Sequence, residues 1–184
     1  MNAPATATTL RVAPVLTLHP HVVQTYFQQM YMADTLKYRF SDIDDPTWSD
    51  ALEVIQRMGQ SMYMVMDVTP GQEDHPVAEF SLENFTGRSA RTHFSTHPNA
   101  SSPERVRAGR FGSHYTLTRK HPETGEYFFD SLYGLTPISN RAACIFAIKC
   151  GFKKTGVLPS GMMYLGQPED CMISIATRET CHGW

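Results

Sequence analysis

Long hydrophobic runs are missing from this chain of 184 residues: the longest unbroken apolar stretches, such as Met62–Met66, are only a few residues, against the roughly 20 that a membrane-spanning helix needs. Transmembrane helices are excluded and no membrane partner is expected. An excess of either charge is missing too. The net charge is −2, so no global field draws the molecule to nucleic acid or an anionic surface, and any basic site is local. Cysteine is scarce, and the four present (Cys144, Cys150, Cys171, Cys181) all lie in the last quarter without a C-x-x-C pair, which argues against a zinc ribbon. His19-Pro20-His21 and Cys181-His182 lack a third ligand at suitable spacing, so they read as surface histidines and no metal is expected. The opening MNAPATATTL has neither a basic start nor the roughly 7–15-residue apolar segment of a secretory signal. It reads as a flexible arm over residues 1–10, able to dock on a second copy or another partner, ahead of one domain over residues 11–184. Reduced thiols in a cytoplasmic setting follow from that reading.

What is present is enough to fold: 41% of residues are apolar and 18% charged, far from the composition of disordered chains. Thr8–Leu18, rich in β-branched residues and interrupted by Pro14, reads as an edge strand. Apolar residues from Val22 to Leu36 recur at spacings of three and four, predicting a helix over His19 to about Phe40; a second follows over Thr47–Gln60. Gln60–Val68, Val77–Phe85 and Arg88–His97 read as three strands, the first two joined by the turn Thr69-Pro70-Gly71. Pro103–Lys120 reads as a helix despite Gly109 and Gly112, Tyr127–Leu135 as a strand and Ser139–Cys150 as a helix stopped by Gly151. Phe152–Leu165 and Cys171–Thr177 complete the order β α α β β β α β α β β, a mixed α/β sheet with helices on both faces. The methionines Met58, Met62, Met64, Met66, Met162 and Met163 read as core filler.

Two segments carry the chemistry. Asn140–Val157, NRAACIFAIKCGFKKTGV, opens a helix with an Asn, places small Ala143 three residues on and closes with Gly151-Phe152. An Asn at a helix mouth can bond a ligand's amides, and a small residue lets that ligand approach. Arg88–Lys120 holds seven basic residues against Glu104 alone, a local charge of +6. A solvated basic face, a phosphate site and a nucleic-acid surface all remain open for it.

The Asn140–Val157 pattern, with the element order, resembles the GNAT superfamily (GCN5-related N-acetyltransferases), and especially its small phage-encoded members, over about Thr8–Thr177. That resemblance implies acetyl-CoA as cosubstrate and an amine acceptor. It implies a pyrophosphate cradle of Arg107, Ala108, Gly109, Arg110, Phe111 and Gly112, with Asn140 and Ala143 completing the cofactor site. The match is partial: Gly112 falls one position late, and Val106 stands where the family has Arg or Gln. It further implies a general base near the middle of the third or fourth strand, where Glu79, Glu83 and His93 qualify, His93 first because an imidazole titrates near neutrality. The phenol that many relatives use to protonate the departing thiolate is replaced by Ala147, next to Phe146, so Tyr164 or Tyr133 would have to serve. Two functions are expected to compete: an acetyl-CoA-dependent N-acyltransferase with a divergent active site, in the cytoplasm (the host's if phage-encoded), and a catalytically degenerate assembly module such as a phage virion or tail component.

Overall fold

The computed structural model describes residues 9–181 except Asp42, Asp44 and Gln72; the proposed arm lies outside them apart from Thr9 and Leu10, and so does His182. Seven strands form one mixed sheet in the order β1-β2-β3-β4-β5-β7-β6. They are β1 (Leu10–Pro14), β2 (Met62–Asp67), β3 (His75–Thr86), β4 (Ser89–Thr96), β5 (Ser131–Pro137), β6 (Lys153–Tyr164) and β7 (Gln167–Thr177). Helices α1 (Pro20–Met32), α2 (Leu36–Arg39) and α3 (Trp48–Met58) fall between β1 and β2; α4 (Ser102–Thr118) and α5 (Arg141–Lys149) flank β5. The order and the mixed sheet agree with the sequence reading.

The long first helix expected over His19–Phe40 divides in two. Asp34 takes a left-handed conformation (φ 54°), which ends α1 and lets α2 start on a new axis. α1 buries Val23, Tyr26, Phe27 and Met30, and the turn brings Leu36, Arg39 and Phe40 down onto the same core. The first strand is shorter than expected because Val15–Thr17 forms a 3-10 turn after Pro14. At the far end, the Gly166-Gln167-Pro168 turn shifts by one residue: Leu165 and Gly166 carry the positive φ values (50° and 79°), so Gln167 and Pro168 already belong to β7, opposite Tyr164 and Met163.

Each face of the sheet holds its own core. On one side α1, α2 and α3 pack over Met62, Met64 and Met66, which are at most 2% exposed; these three are core filler, whereas Met163 is 47% exposed. On the other, α4 and α5 cover Val65, Phe80, Leu82, Ala90 and Leu132. A file of rings crosses this second face, from Tyr63 to Phe80, Phe94 and Phe146, with centroids 5.2, 5.7 and 5.6 Å apart. α4 lies against it through its glycines. A Cβ on Gly112 would stand 3.0 Å from Phe80 Cε1, and one on Gly109 would stand 2.4 Å from Cys150 Sγ and 2.7 Å from Phe146 Cζ. No described helix is long and apolar enough to cross a membrane.

Gly109→Ala should therefore lower stability by about 1–3 kcal/mol, the usual cost of overpacking, outweighing the roughly 1 kcal/mol of helix propensity gained. Thermal melts of this variant and of Gly112→Ala, whose contacts are looser, test the ordering. A Gly109→Ala chain melting at or above the wild-type temperature would show that α4 and α5 have room to separate.

Candidate active site

Strands β4 and β5 run parallel and share only three register positions, Ser89 with Ser131, Ala90 with Leu132 and Arg91 with Tyr133. Beyond them β4 stays paired to β3 as far as Thr96, and β5 stays paired to β7 as far as Pro137. Each strand follows its outer neighbour, so the sheet parts between them and leaves backbone donors and acceptors unpaired on both lips. A cavity of about 1020 Å³ occupies the parting and reaches both faces. Tyr38, Arg39, Arg91, His93 and Tyr164 line it toward α1 and α2; Gly109, Ala143, Phe146, Cys150 and Ser174 line it toward α4 and α5.

The candidate bases fare differently. His93 is half-buried on the wall of the cavity. Burial, then Arg39 and Arg91, push its imidazole well below the usual 6.5, so it stands neutral with a lone pair to offer. Glu79 is corrected: it is fully buried and does not line the cavity. Its carboxylate accepts Arg39 Nε at 2.8 Å and Nη2 at 3.1 Å, and Ser95 Oγ donates to it at 2.9 Å. Arg39 also donates to Ser81 Oγ at 3.1 Å, and Tyr26, whose phenol is pushed up by burial and then by Glu79, lies 3.3 Å from both Ser95 oxygens. A carboxylate so engaged holds the fold together and has no lone pair facing a ligand. Glu83 is likewise taken, by Arg91 at 3.1 Å.

The expected cradle over Arg107–Gly112 is corrected as well. α4 begins at Ser102, so this stretch lies more than a turn inside the helix, where amides bond the preceding turn. Its glycines serve packing against α5 and the sheet. Of its residues only Gly109 lines the cavity; Arg110 donates to the Lys149 carbonyl at 2.7 Å. The helix mouth itself is closed by its own side chains. Glu104 accepts the Ser101 amide at 2.7 Å, Pro103 supplies no N–H, and Arg105 donates to the carbonyls of Ala100 and Pro98, both at 2.8 Å. Much of the +6 segment is similarly engaged: Arg88 pairs with Asp130 and Glu126, and Arg119 stacks on Tyr115 and Phe128. The basic segment is a set of structural contacts more than a single patch.

Asn140 caps α5, its Oδ1 accepting the Ala143 amide at 3.1 Å, while its Nδ2 donates to Tyr164 Oη at 3.1 Å. Both polar ends have protein partners, and the second aims the phenol. Tyr164 lines the cavity, and burial keeps its phenol protonated above the ordinary value. Tyr133 does not line it, and its hydroxyl donates to the Asn84 carbonyl at 3.2 Å. Ala143 and Ala147 both line the cavity, and neither offers a proton.

Sequence reading missed Ser174. It is fully buried on β7 opposite Gly134, lines the cavity, and its Oγ has no hydrogen-bond partner. A Cβ on Gly134 would meet that oxygen at 3.3 Å, so a side chain there would crowd the hydroxyl. Among the described residues only Arg107 Nε shares this state. An unpaired buried hydroxyl costs about 1–3 kcal/mol, so it calls for a partner that the protein's own side chains do not supply. A lone serine on a strand gives no signal in sequence; it shows only once Gly134 is found beside it. No group of three or more metal-ligating side chains occurs among the described residues.

A seven-stranded mixed sheet parted between two parallel strands, with helices on both faces, is a fold this chain shares with solved acetyltransferases. A GNAT-family acetyltransferase from Bacillus anthracis superposes with a TM-score of 0.71 at 12% identity, over 92% of this chain and 95% of that one. Spermidine N-acetyltransferase from Vibrio cholerae, in complex with CoA and spermine, gives 0.68 at 14% identity over 95% and 97%. Ribosomal-protein-S5-alanine acetyltransferase from Vibrio fischeri gives 0.62 at 11% identity over 95% and 94%. No protein-family model matches the chain, and no curated protein matches it.

Two measurements check the assignments of His93 and Glu79. Glu79→Gln leaves the Arg39 charge buried without its counterion and should cost about 3–5 kcal/mol in chemical denaturation. For His93 the folded pKa lies below the usual 6.5, so below that pH the unfolded chain binds more protons than the folded one. Stability should fall as pH drops from 7 through 6.5 toward the depressed value, and His93→Gln should flatten this slope; an unchanged slope would remove the histidine from its buried setting.

Proposed function

We propose that the chain is an N-acyltransferase that moves an acetyl group from acetyl-CoA to an amine. The observation that carries it is the parted sheet, a single passage with a neutral imidazole on one side and an unpartnered buried hydroxyl on the other. Every reported structural neighbour bears an acetyltransferase name, which favours this reading over a degenerate assembly module.

The residues present suit the donor's arm better than its phosphates. The unpaired lips of β4 and β5 would pair with an extended amide-bearing arm as a short strand, and Ser174 Oγ would bond it from below. Arg107 and Arg105 are the cations nearest the α4 mouth, in place of a glycine cradle. When bound, acetyl-CoA supplies an activated thioester carbonyl. The chain's own residues do the rest. Arg39 and Arg91 disfavour a charged ammonium near His93, so the acceptor nitrogen enters unprotonated. As that nitrogen bonds the carbonyl carbon it becomes strongly acidic, and His93 takes its proton, a step a weakly basic imidazole can perform. Tyr164, held by Asn140, donates a hydrogen bond to the departing sulfur; a thiolate, with an ordinary pKa of about 8.5, needs little more.

Release of free thiol from acetyl-CoA with a panel of amines tests the proposal. His93→Gln should lower kcat by about 10²–10⁴-fold, and Tyr164→Phe should lower kcat more than it alters KM. Ser174→Ala should mainly weaken donor binding, by roughly tenfold, the worth of one buried hydrogen bond. CoA binding without turnover on any amine would return the assembly module.

A further inference from the structure

The described residues on the acceptor side of the passage carry charge of one sign. Among the described residues, no Asp or Glu lines the cavity, whereas Arg39 and Arg91 do. The carboxylates that balance them, Glu79 and Glu83, sit on β3. In the sheet β3 lies on the far side of β4 from the parting, so each carboxylate sits on the strand behind; Arg91 is partly exposed where it lines the cavity, whereas Arg39 is buried against Glu79 and Ser81. Of the other described acids near this side, Asp34 pairs with Lys37, Glu169 accepts the Ser139 amide at 3.1 Å and Asp170 that of Ser160 at 2.9 Å, while Asp45 is exposed near Lys37. The depressed imidazole of His93, with Arg39 and Arg91 among its causes, reports the same positive potential from a different group.

Resting on the transferase reading, we infer that the acceptor amine carries an anionic group, a carboxylate or phosphonate, a few bonds from its nitrogen, and that Arg91 receives it. Arg91 and His93 stand two residues apart on one face of β4, about 6.6 Å along the strand. Arg91 is at the last paired position, where the strands are still joined, and His93 is the next residue on that face, in the open parting. Arg91 gives Glu83 one N–H, from Nη2, and its guanidinium has others for an acid. An amino acid or aminophosphonate seated this way sets its acid at the apex and its nitrogen at the imidazole. A polyamine, by contrast, would place extra ammonium groups against two arginines with no carboxylate among the described lining residues to receive them.

The experiment uses the full chain and pairs of probes on one skeleton: L-phenylalanine and its phosphonate analogue against L-phenylalaninamide, with spermidine as the polycation. Calorimetry in the presence of CoA reads binding without needing turnover; thiol release from acetyl-CoA reads transfer. The acids should bind and react at least about tenfold better than the amide, the worth of one charge-assisted hydrogen bond. Arg91→Gln should erase the preference and Arg91→Lys should keep most of it. Spermidine or the amide matching the acids, no acid binding at all, or a preference that survives Arg91→Gln would overturn the inference. Acid-selective binding without transfer would instead sink the transferase reading and leave this one standing, while transfer to amides and polyamines alike would do the reverse.

Discussion

The parting of β4 from β5 is the constraint on which the rest depends. Three shared register positions hold two parallel strands together, and then each keeps its outer partner. A sheet divided in this way must expose backbone groups at its centre, where a continuous sheet would bury them in a ladder. The cavity, the lone hydroxyl of Ser174 and the placing of His93 on the lip all follow from it.

The division also explains why ionic groups are tolerated in the middle of the protein. Arg39, Glu79, Ser81, Ser95 and Tyr26 form one connected set beneath α1 and α2. Such a set is no gain over an apolar core in stability alone. It fixes α2 to β3 and β4, however, and so fixes the wall of the passage. The break at Asp34 is what lets α2 reach it.

Element order and the two-faced layering were legible in the sequence because each rests on periodicity within a segment. The start of α5 at Asn140 was legible too, since a helix mouth and its closing Gly151-Phe152 have a fixed spacing. Arg107–Gly112 misled because a Gly-x-x-Gly in a basic stretch has two uses, approach to a phosphate or approach to a neighbouring helix, and only the start of α4 at Ser102 distinguishes them. Glu79 misled for a related reason: its strand position is visible in sequence, but Arg39, forty residues earlier, is not. Ser174 needed the pairing of β7 with β5 before it meant anything.

The sheet has a further property as a mechanical object. Strands β1–β4 form one slab and β5–β7 another, joined across the sheet by the short run of pairs ending at Arg91 and Tyr133 and bridged on one face by α4. A slab boundary of this kind opens more easily than either slab frays, so the two halves should exchange amide hydrogens with solvent as separate cooperative units. An occupant that bonded both lips of the seam would weld them, so that occupancy itself would turn two sheets into one.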